Sequence, residues 1–100
     1  MNTLQLALHA PCPQAFSRAL ANVSILLRDY PSAQIELVVN SAALPEALKI
    51  SDGDIIKRLV LCQNSLNAQQ LTAPSHFSVV PAAIVHLAQR QQQGWSYVRA

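Results

Sequence analysis

Short apolar segments alternate with helical segments along the whole chain, and this alternation restricts the fold more than any other feature. Five segments are typical of strands: residues 3–9, 34–40, 58–62, 77–80 and 95–98. Helical periodicity is clearest over residues 14–30, where apolar side chains recur every three or four positions. The pattern predicts a three-layer α/β/α domain with a mainly parallel five-stranded sheet.

Three further helices complete the predicted pattern. They cover residues 46–49, residues 65–71, and a last segment that begins at Pro81 and is capped by Gly94. The sequence SDGD at 51–54 predicts a turn before the third strand. The spacing in the last helix predicts an inner face: Ile84, Leu87, Ala88 and Gln91. His86 lies off that face, and His76 precedes the fourth strand; both are predicted on the surface.

The composition predicts a single domain that associates with further copies of itself. A length of 100 residues accommodates one domain over residues 1–100. The chain is 51% hydrophobic and only 12% charged, whereas ordinary soluble domains carry about 25% charged residues. A domain of this size buries roughly 60–70% of its surface. The apolar side chains in excess of one small core therefore predict a homo-oligomer.

Charge, glycine content and hydropathy exclude several classes of function. The net charge is +2 and the basic residues are scattered, so a nucleic-acid partner is not predicted. Two glycines leave no phosphate loop or dinucleotide fingerprint. No apolar run reaches the roughly 18 residues of a membrane span, and a signal-peptide pattern is missing, so we expect a cytoplasmic protein with reduced thiols. Two cysteines are too few for a four-ligand structural zinc site, and no two histidines have the spacing of metal ligands on a helix. Neither a metal nor a cofactor is therefore predicted.

The most informative change in residue type follows the third strand, where the apolar segment LVLC is followed by the polar segment QNS. Cys62 ends that strand, and ligands of parallel sheets gather at the carboxyl ends of strands. Ser65 is predicted to cap the next helix, whose N-terminal N–H groups favour a thiolate. His9 and Cys12 close the first strand and open the first long helix, so we expect them at the same edge.

Each of these residues also has a structural interpretation. A free cysteine such as Cys62 commonly packs as a small hydrophobe, and Cys12 is equally consistent with an incidental loop thiol. His9 is consistent with a hydrogen-bonded polar end of a strand. Asn64 and Ser65 are common turn and cap residues. The residue types alone leave these alternatives open.

Two motifs in the second half of the chain resemble small single-domain members of the DsrE/DsrF-like family. The first is LVLCQNSL, and the second is FSVVPAAIVHLAQRQQQGWSYVRA. The matching residues are Cys62, Asn64, Ser65 and Leu66, then Val80, Pro81 and Ala82, Gln91 and Gly94, and Trp95 with Tyr97. The resemblance covers nearly the whole chain, and the spacing of the second half is its specific part.

The resemblance implies a sulfur-relay function and an oligomer. Family members with defined roles accept sulfur as a persulfide on the equivalent cysteine, pass it to a protein partner, and assemble as trimers or hexamers. By this resemblance Cys62 is the carrier, with Asn64 and Ser65 supporting its thiolate, and no cofactor is needed because the thiolate itself attacks the outer sulfur of the donor. Two other hypotheses remain: a non-catalytic oligomeric module that binds a small ligand at the same edge, and a dithiol redox switch between Cys12 and Cys62.

Overall fold

The computed structural model describes residues 3–100. Its strands are β1 Gln5–Ala10, β2 Gln34–Val39, β3 Leu59–Cys62, β4 Ser78–Val80 and β5 Ser96–Arg99. Its helices are α1 Pro13–Asp29, α2 Leu44–Leu48, α3 Gly53–Arg58, α4 Gln63–Ala68 and α5 Ala83–Gln92, with a 3-10 turn at Ser41–Ala43. The strands form one sheet in the order β4-β3-β2-β1-β5, and every pair is parallel. The predicted α/β/α architecture is confirmed.

The two faces of the sheet carry cores of unequal size. Alternate residues of each strand point to opposite faces, and the larger core joins one face to the first four helices. It includes Leu8, Leu37 and Leu61 of the sheet, Phe16 and Val23 of α1, and residues of α2, α3 and α4. The smaller core lies under α5 and consists of Ala7, Val38, Val60, Cys62, Ala83 and Leu87. One helix therefore covers the second face of a five-stranded sheet.

A cluster of charged side chains fixes α5 on β2. Arg90 donates from Nε and Nη2 to the two oxygens of the Glu36 carboxylate, at 2.9 Å each. His86 Nε2 lies 2.8 Å from the same carboxylate. Burial alone would raise the pKa of Glu36, but the hydrogen bonds and charges of Arg90 and His86 outweigh it and hold that pKa below its ordinary value. His86, predicted on the surface, is instead a partly buried partner of Glu36.

The rotation of α5 also corrects its predicted inner face. The buried residues of the helix are Ala83 and Leu87, one turn apart. Ile84 is 78% exposed, and Ala88 and Gln91 are exposed as well. Hydropathy places Ile84 inward, but the ion pairs of His86 and Arg90 with β2 set which side of the helix meets the sheet.

The structure contains one helix that the sequence pattern did not predict. Residues 51–54, predicted as a turn, lead into α3, and Arg58, predicted in the third strand, is the last residue of that helix. The carboxylate of Asp52 caps α3 by accepting hydrogen bonds from the N–H groups of Asp54 at 2.9 Å and Ile55 at 3.2 Å. Six residues are too few to display helical periodicity, so the cap was the available signal.

Candidate functional site

Strand β3 carries Cys62 to the carboxyl edge of the sheet. All four residues of β3 are buried, and Cys62 is also the N-cap residue of α4. The side chain of Cys62 is 5% exposed, and its Sγ accepts a hydrogen bond of 3.4 Å from the N–H of Ala83, the first residue of α5. The thiol thus lies at the N-terminal ends of two helices.

The surroundings of Cys62 favour its thiolate. Burial of the thiol would raise its pKa, since the charged form loses solvation. The N–H groups of Ala83, Ser65 and Asn64, together with the Ser65 hydroxyl, outweigh that effect and lower the pKa of Cys62 below its ordinary value. Asn64 and Ser65 therefore lie where a thiolate is stabilised.

Ser65 has a different local role from the one predicted. It is the third residue of α4 rather than the cap, because the helix begins at Gln63 directly after Cys62. The Ser65 hydroxyl accepts a hydrogen bond of 3.0 Å from the N–H of Ser41, a non-glycine residue with a φ of 52°. Ser65 thereby connects the turn after β2 to the turn that holds Cys62.

A backbone hydrogen bond joins the two turns beside the thiol. The N–H of Asn64, after β3, donates to the carbonyl of Pro81, after β4, at 3.2 Å. These two turns supply the N–H groups that surround Sγ. Since Cys62 is only 5% exposed, little of its side chain is open to a reaction partner in this conformation.

His9 lies on the same face of the sheet as Cys62, but on β1, with β2 between them. Its ring does not hydrogen-bond the thiol. Its Nδ1 lies 2.8 Å from the Tyr97 hydroxyl, and its Nε2 lies 3.0 Å from Asn40 Oδ1. His9, predicted to support the cysteine, belongs instead to a polar trio that Asn40 and Tyr97 complete.

The trio lines a cleft of about 390 Å³ beside α5. The sheet contributes His9, Asn40 and Tyr97, and α5 contributes a mainly apolar wall that includes Ile84, Leu87 and Ala88. The cleft opens over the part of the sheet that α5 leaves uncovered. After Cys62, the cleft is the second feature of this edge that could take part in binding or chemistry.

The structure does not bring the two cysteines together. Cys12 is the N-cap of α1 and packs against the larger core, whereas Cys62 belongs to the smaller core on the opposite face. Strands β1 and β3 are separated by β2, hence by about 9.6 Å at the usual strand spacing, and a disulfide needs Cα atoms within about 7 Å. This placement on opposite faces argues against the alternative of a dithiol redox switch between Cys12 and Cys62.

Cys12 has its own anion-favouring surroundings. The backbone N–H of Ala15 has the largest effect and lowers the pKa of Cys12. Burial raises that pKa by less, and the charges of Arg99 and Arg18 and the N–H of Gln14 lower it further. Cys12 is more exposed than Cys62, so both thiols are candidates for alkylation in the folded protein.

Sequence reasoning missed Asn40, Tyr97 and Ala83 as parts of this edge. Asn40 gave a signal, because it is the polar residue that directly follows the buried end of β2. Tyr97 and Ala83 gave none beyond the family motif, since their positions depend on β5 pairing with β1 and on α5 crossing to β3.

Over residues 3–100, no helix has the length and apolar character needed to cross a membrane. In the same range, no three or more His, Cys, Asp or Glu side chains are grouped so that they could hold a metal ion.

Comparisons with known proteins establish the fold and nothing more specific. No family model matches the chain, and no curated protein matches it. A solved structure, the protein of unknown function MTH1491 from Methanobacterium thermoautotrophicum, is similar with a TM-score of 0.81 and 22% sequence identity. The similarity covers 97% of this chain and 99% of that one, so the α/β architecture is shared along the whole length.

Proposed function

We propose that this protein carries sulfur as a persulfide on Cys62. The observation that supports this most is the hydrogen bond from the Ala83 N–H to Sγ, in a site whose N–H groups lower the pKa of the thiol. A thiolate is the form that attacks sulfur. The resemblance of residues 59–66 to the cysteine motif of the DsrE/DsrF-like family points to the same residue.

The chemistry needs only a donor and an acceptor. The Cys62 thiolate attacks the outer sulfur of a donor persulfide, the sulfur–sulfur bond of the donor breaks, and the donor leaves as a thiolate. The new bond joins Sγ to the transferred sulfur, whose negative charge the neighbouring N–H groups stabilise. An acceptor thiolate then repeats the step on that sulfur. No oxidant, metal or cofactor is consumed.

The proposed carrier is a homotrimer or homohexamer in the reducing cytoplasm. One protein partner donates the sulfur to Cys62 and another accepts it. Apolar side chains left exposed on this single chain support self-association. They are Leu4, Ile25, Tyr30, Val79, Ile84, Val85, Tyr97 and Val98. Light scattering is expected to give a multiple of the 10.9 kDa chain mass, and a monomer at micromolar concentration would contradict the oligomer.

A second candidate function is a small-ligand-binding module without sulfur transfer. The cleft beside His9 favours it, and so does the burial of Cys62, which is also what an inert packed thiol would show.

Alkylation separates the two candidates. A sulfur carrier needs turns that open, so iodoacetamide should label Cys62 in the folded protein at a rate that follows its thiolate fraction. Each cysteine is followed separately by peptide mass spectrometry, with Cys12 as the internal reference. Labelling of Cys62 only after denaturation would identify a packed core thiol and leave the binding module as the better interpretation.

A further inference from the structure

The position of α5 decides how its first N–H meets the thiol of Cys62. That N–H belongs to Ala83 and lies 3.4 Å from Sγ. Burial raises the pKa of Cys62, and the N–H of Ala83 makes the largest of the contributions that lower it. In the part of the chain that the structure describes, α5 alone packs on this face of the sheet. Because a hydrogen bond weakens as its donor moves away or turns aside, a small shift of this one helix would change the stabilisation of the thiolate.

Apolar packing alone does not fix the rotation of α5. The buried residues of the helix are Ala83 and Leu87, and the sheet beneath them contributes only alanine and valine side chains besides Cys62. Ile84 stays largely exposed, although a rotated helix could bury it. Since the hydrophobic effect is not directional, a directional contact has to hold α5 in the observed rotation.

The carboxylate of Glu36 supplies that contact. It accepts hydrogen bonds from Nε and Nη2 of Arg90 at 2.9 Å each, and its Oε1 lies 2.8 Å from Nε2 of His86. A guanidinium is planar and offers its two donors in a fixed fork, so this pairing restricts orientation as well as distance. His86 follows Ala83 by three residues and Arg90 follows His86 by four. All three therefore lie on one side of the helix.

The sheet connects the same carboxylate to the thiol by a second route. Glu36 is on β2, directly before the residues that pair with β3, and Cys62 is the last residue of β3. The backbone ladder holds the two strands at a fixed spacing. A change at Glu36 that releases α5 would therefore move the N–H of Ala83 while the sheet keeps the sulfur in place.

We infer that Glu36 is a positioning residue for Cys62, because by holding Arg90 and His86 it sets where the first N–H of α5 meets the sulfur. The inference rests on the proposed function for the use that the thiolate serves. The contact itself is present without any transferred sulfur.

A positioning role and a direct electrostatic role of Glu36 predict opposite effects of Glu36→Gln. Loss of a negative charge would by itself favour the thiolate and lower the pKa of Cys62. Loss of the bidentate pairing with Arg90 withdraws the N–H of Ala83 and raises that pKa. We expect the rise, with a thiolate fraction at neutral pH that falls about 3- to 10-fold. NMR titration of the Cys62 Cβ resonance measures the pKa without a reagent having to reach the sulfur, and Cys12 is the internal reference.

Three further variants separate positioning from a general loss of stability. Arg90→Lys keeps the charge and loses the fork, so it should also raise the pKa of Cys62, and it provides the test if Glu36→Gln does not fold. Val23→Ala, at a buried position of α1 on the opposite face, should lower stability and leave that pKa unchanged. In a chain with Ala83→Pro, which has no N–H to position, Glu36→Gln should have no further effect on the pKa.

Two results would overturn the inference. One is a Cys62 pKa that falls or does not change in Glu36→Gln and Arg90→Lys. The other is a rise of equal size in the presence and absence of Ala83→Pro, which would show that Glu36 acts by another route. Sulfur loading is measured separately. A protein that shows the expected rise but accepts no sulfur would contradict the proposed function and still support the positioning role of Glu36.

Discussion

The backbone N–H of Ala83 donates to the Sγ of Cys62 across 3.4 Å, joining the start of α5 to the end of β3. This contact connects two segments 21 residues apart and makes the thiol part of the helix N-terminus. It can be removed without changing the helix, because Ala83 is the first helical residue.

Ala83→Pro deletes that N–H at a position where proline is tolerated. The preceding residue, Ala82, is already extended with φ −147° and ψ 126°, as a residue before proline requires. With one donor lost and burial unchanged, the pKa of Cys62 should rise. The pH dependence of iodoacetamide labelling measures it, and the titration of Cys12 should stay unchanged. A Cys62 titration identical to that of the native protein would show that Ala83 has no influence on the thiolate.

Glu36→Gln should weaken the attachment of α5 to the sheet. The substitution leaves Arg90 and His86 beside a neutral amide in a partly buried site, which we expect to cost about 1–3 kcal/mol of unfolding free energy. Glu46→Gln is the matched control, because Glu46 pairs with Lys49 at an exposed site and should cost less than about 0.5 kcal/mol. Urea denaturation gives both values, and equal effects would contradict a specific role for Glu36.

The pH dependence of stability should report the same carboxylate. Since the pKa of Glu36 is lower in the folded chain than the ordinary 4.5, the unfolded chain binds more protons between the two values. The stabilisation is therefore complete above about pH 4.5 and is lost as pH falls through the folded-state pKa. Glu36→Gln should show a smaller loss than the native protein over that interval. Parallel stability curves for the two proteins would exclude this linkage.

Gly94 ends α5 by a turn that requires its backbone conformation. The N–H of Trp95 bonds the carbonyl of Arg90 and the N–H of Gly94 bonds that of Gln91, with a φ of 92° at Gly94. Gly94→Ala should cost about 1–2 kcal/mol, although open space surrounds the added methyl group.

Gly53→Ala is the control for that substitution. Gly53 is the first residue of α3, its φ is not positive, and open space surrounds it too. Alanine should raise stability there by about 0.4–1 kcal/mol. Thermal unfolding measures the stability of both variants. A loss of stability of equal size at the two positions would show that the positive φ of Gly94 is not the cause.

The strands and the long helix were predictable because local residue types determine them. Strands of a parallel sheet are buried on both faces, which leaves continuous apolar runs such as residues 59–62. Gly94 was a predictable helix end for a similar reason, since few other residues adopt its conformation. Helix α3 was not predictable from periodicity, because six residues complete fewer than two turns.

Half of the candidate site was predictable from sequence. The switch from apolar to polar after Leu61 indicated that Cys62 ends a strand, and Asn64 and Ser65 follow in the same turn. The neighbours from distant segments, Ala83 and Tyr97, depend on strand order. That order is decided by contacts between segments far apart in the chain, which no local pattern encodes.

Mass spectrometry of sulfur loading tests the role of Cys62 most directly. Incubation of the folded protein with a low-molecular-weight persulfide should add one sulfur atom, about 32 Da. Cys12→Ser should accept the same addition, and Cys62→Ser should accept none while keeping its oligomeric state. An addition that disappears with Cys12→Ser and persists with Cys62→Ser would contradict the proposed function, as would a folded protein that accepts no sulfur.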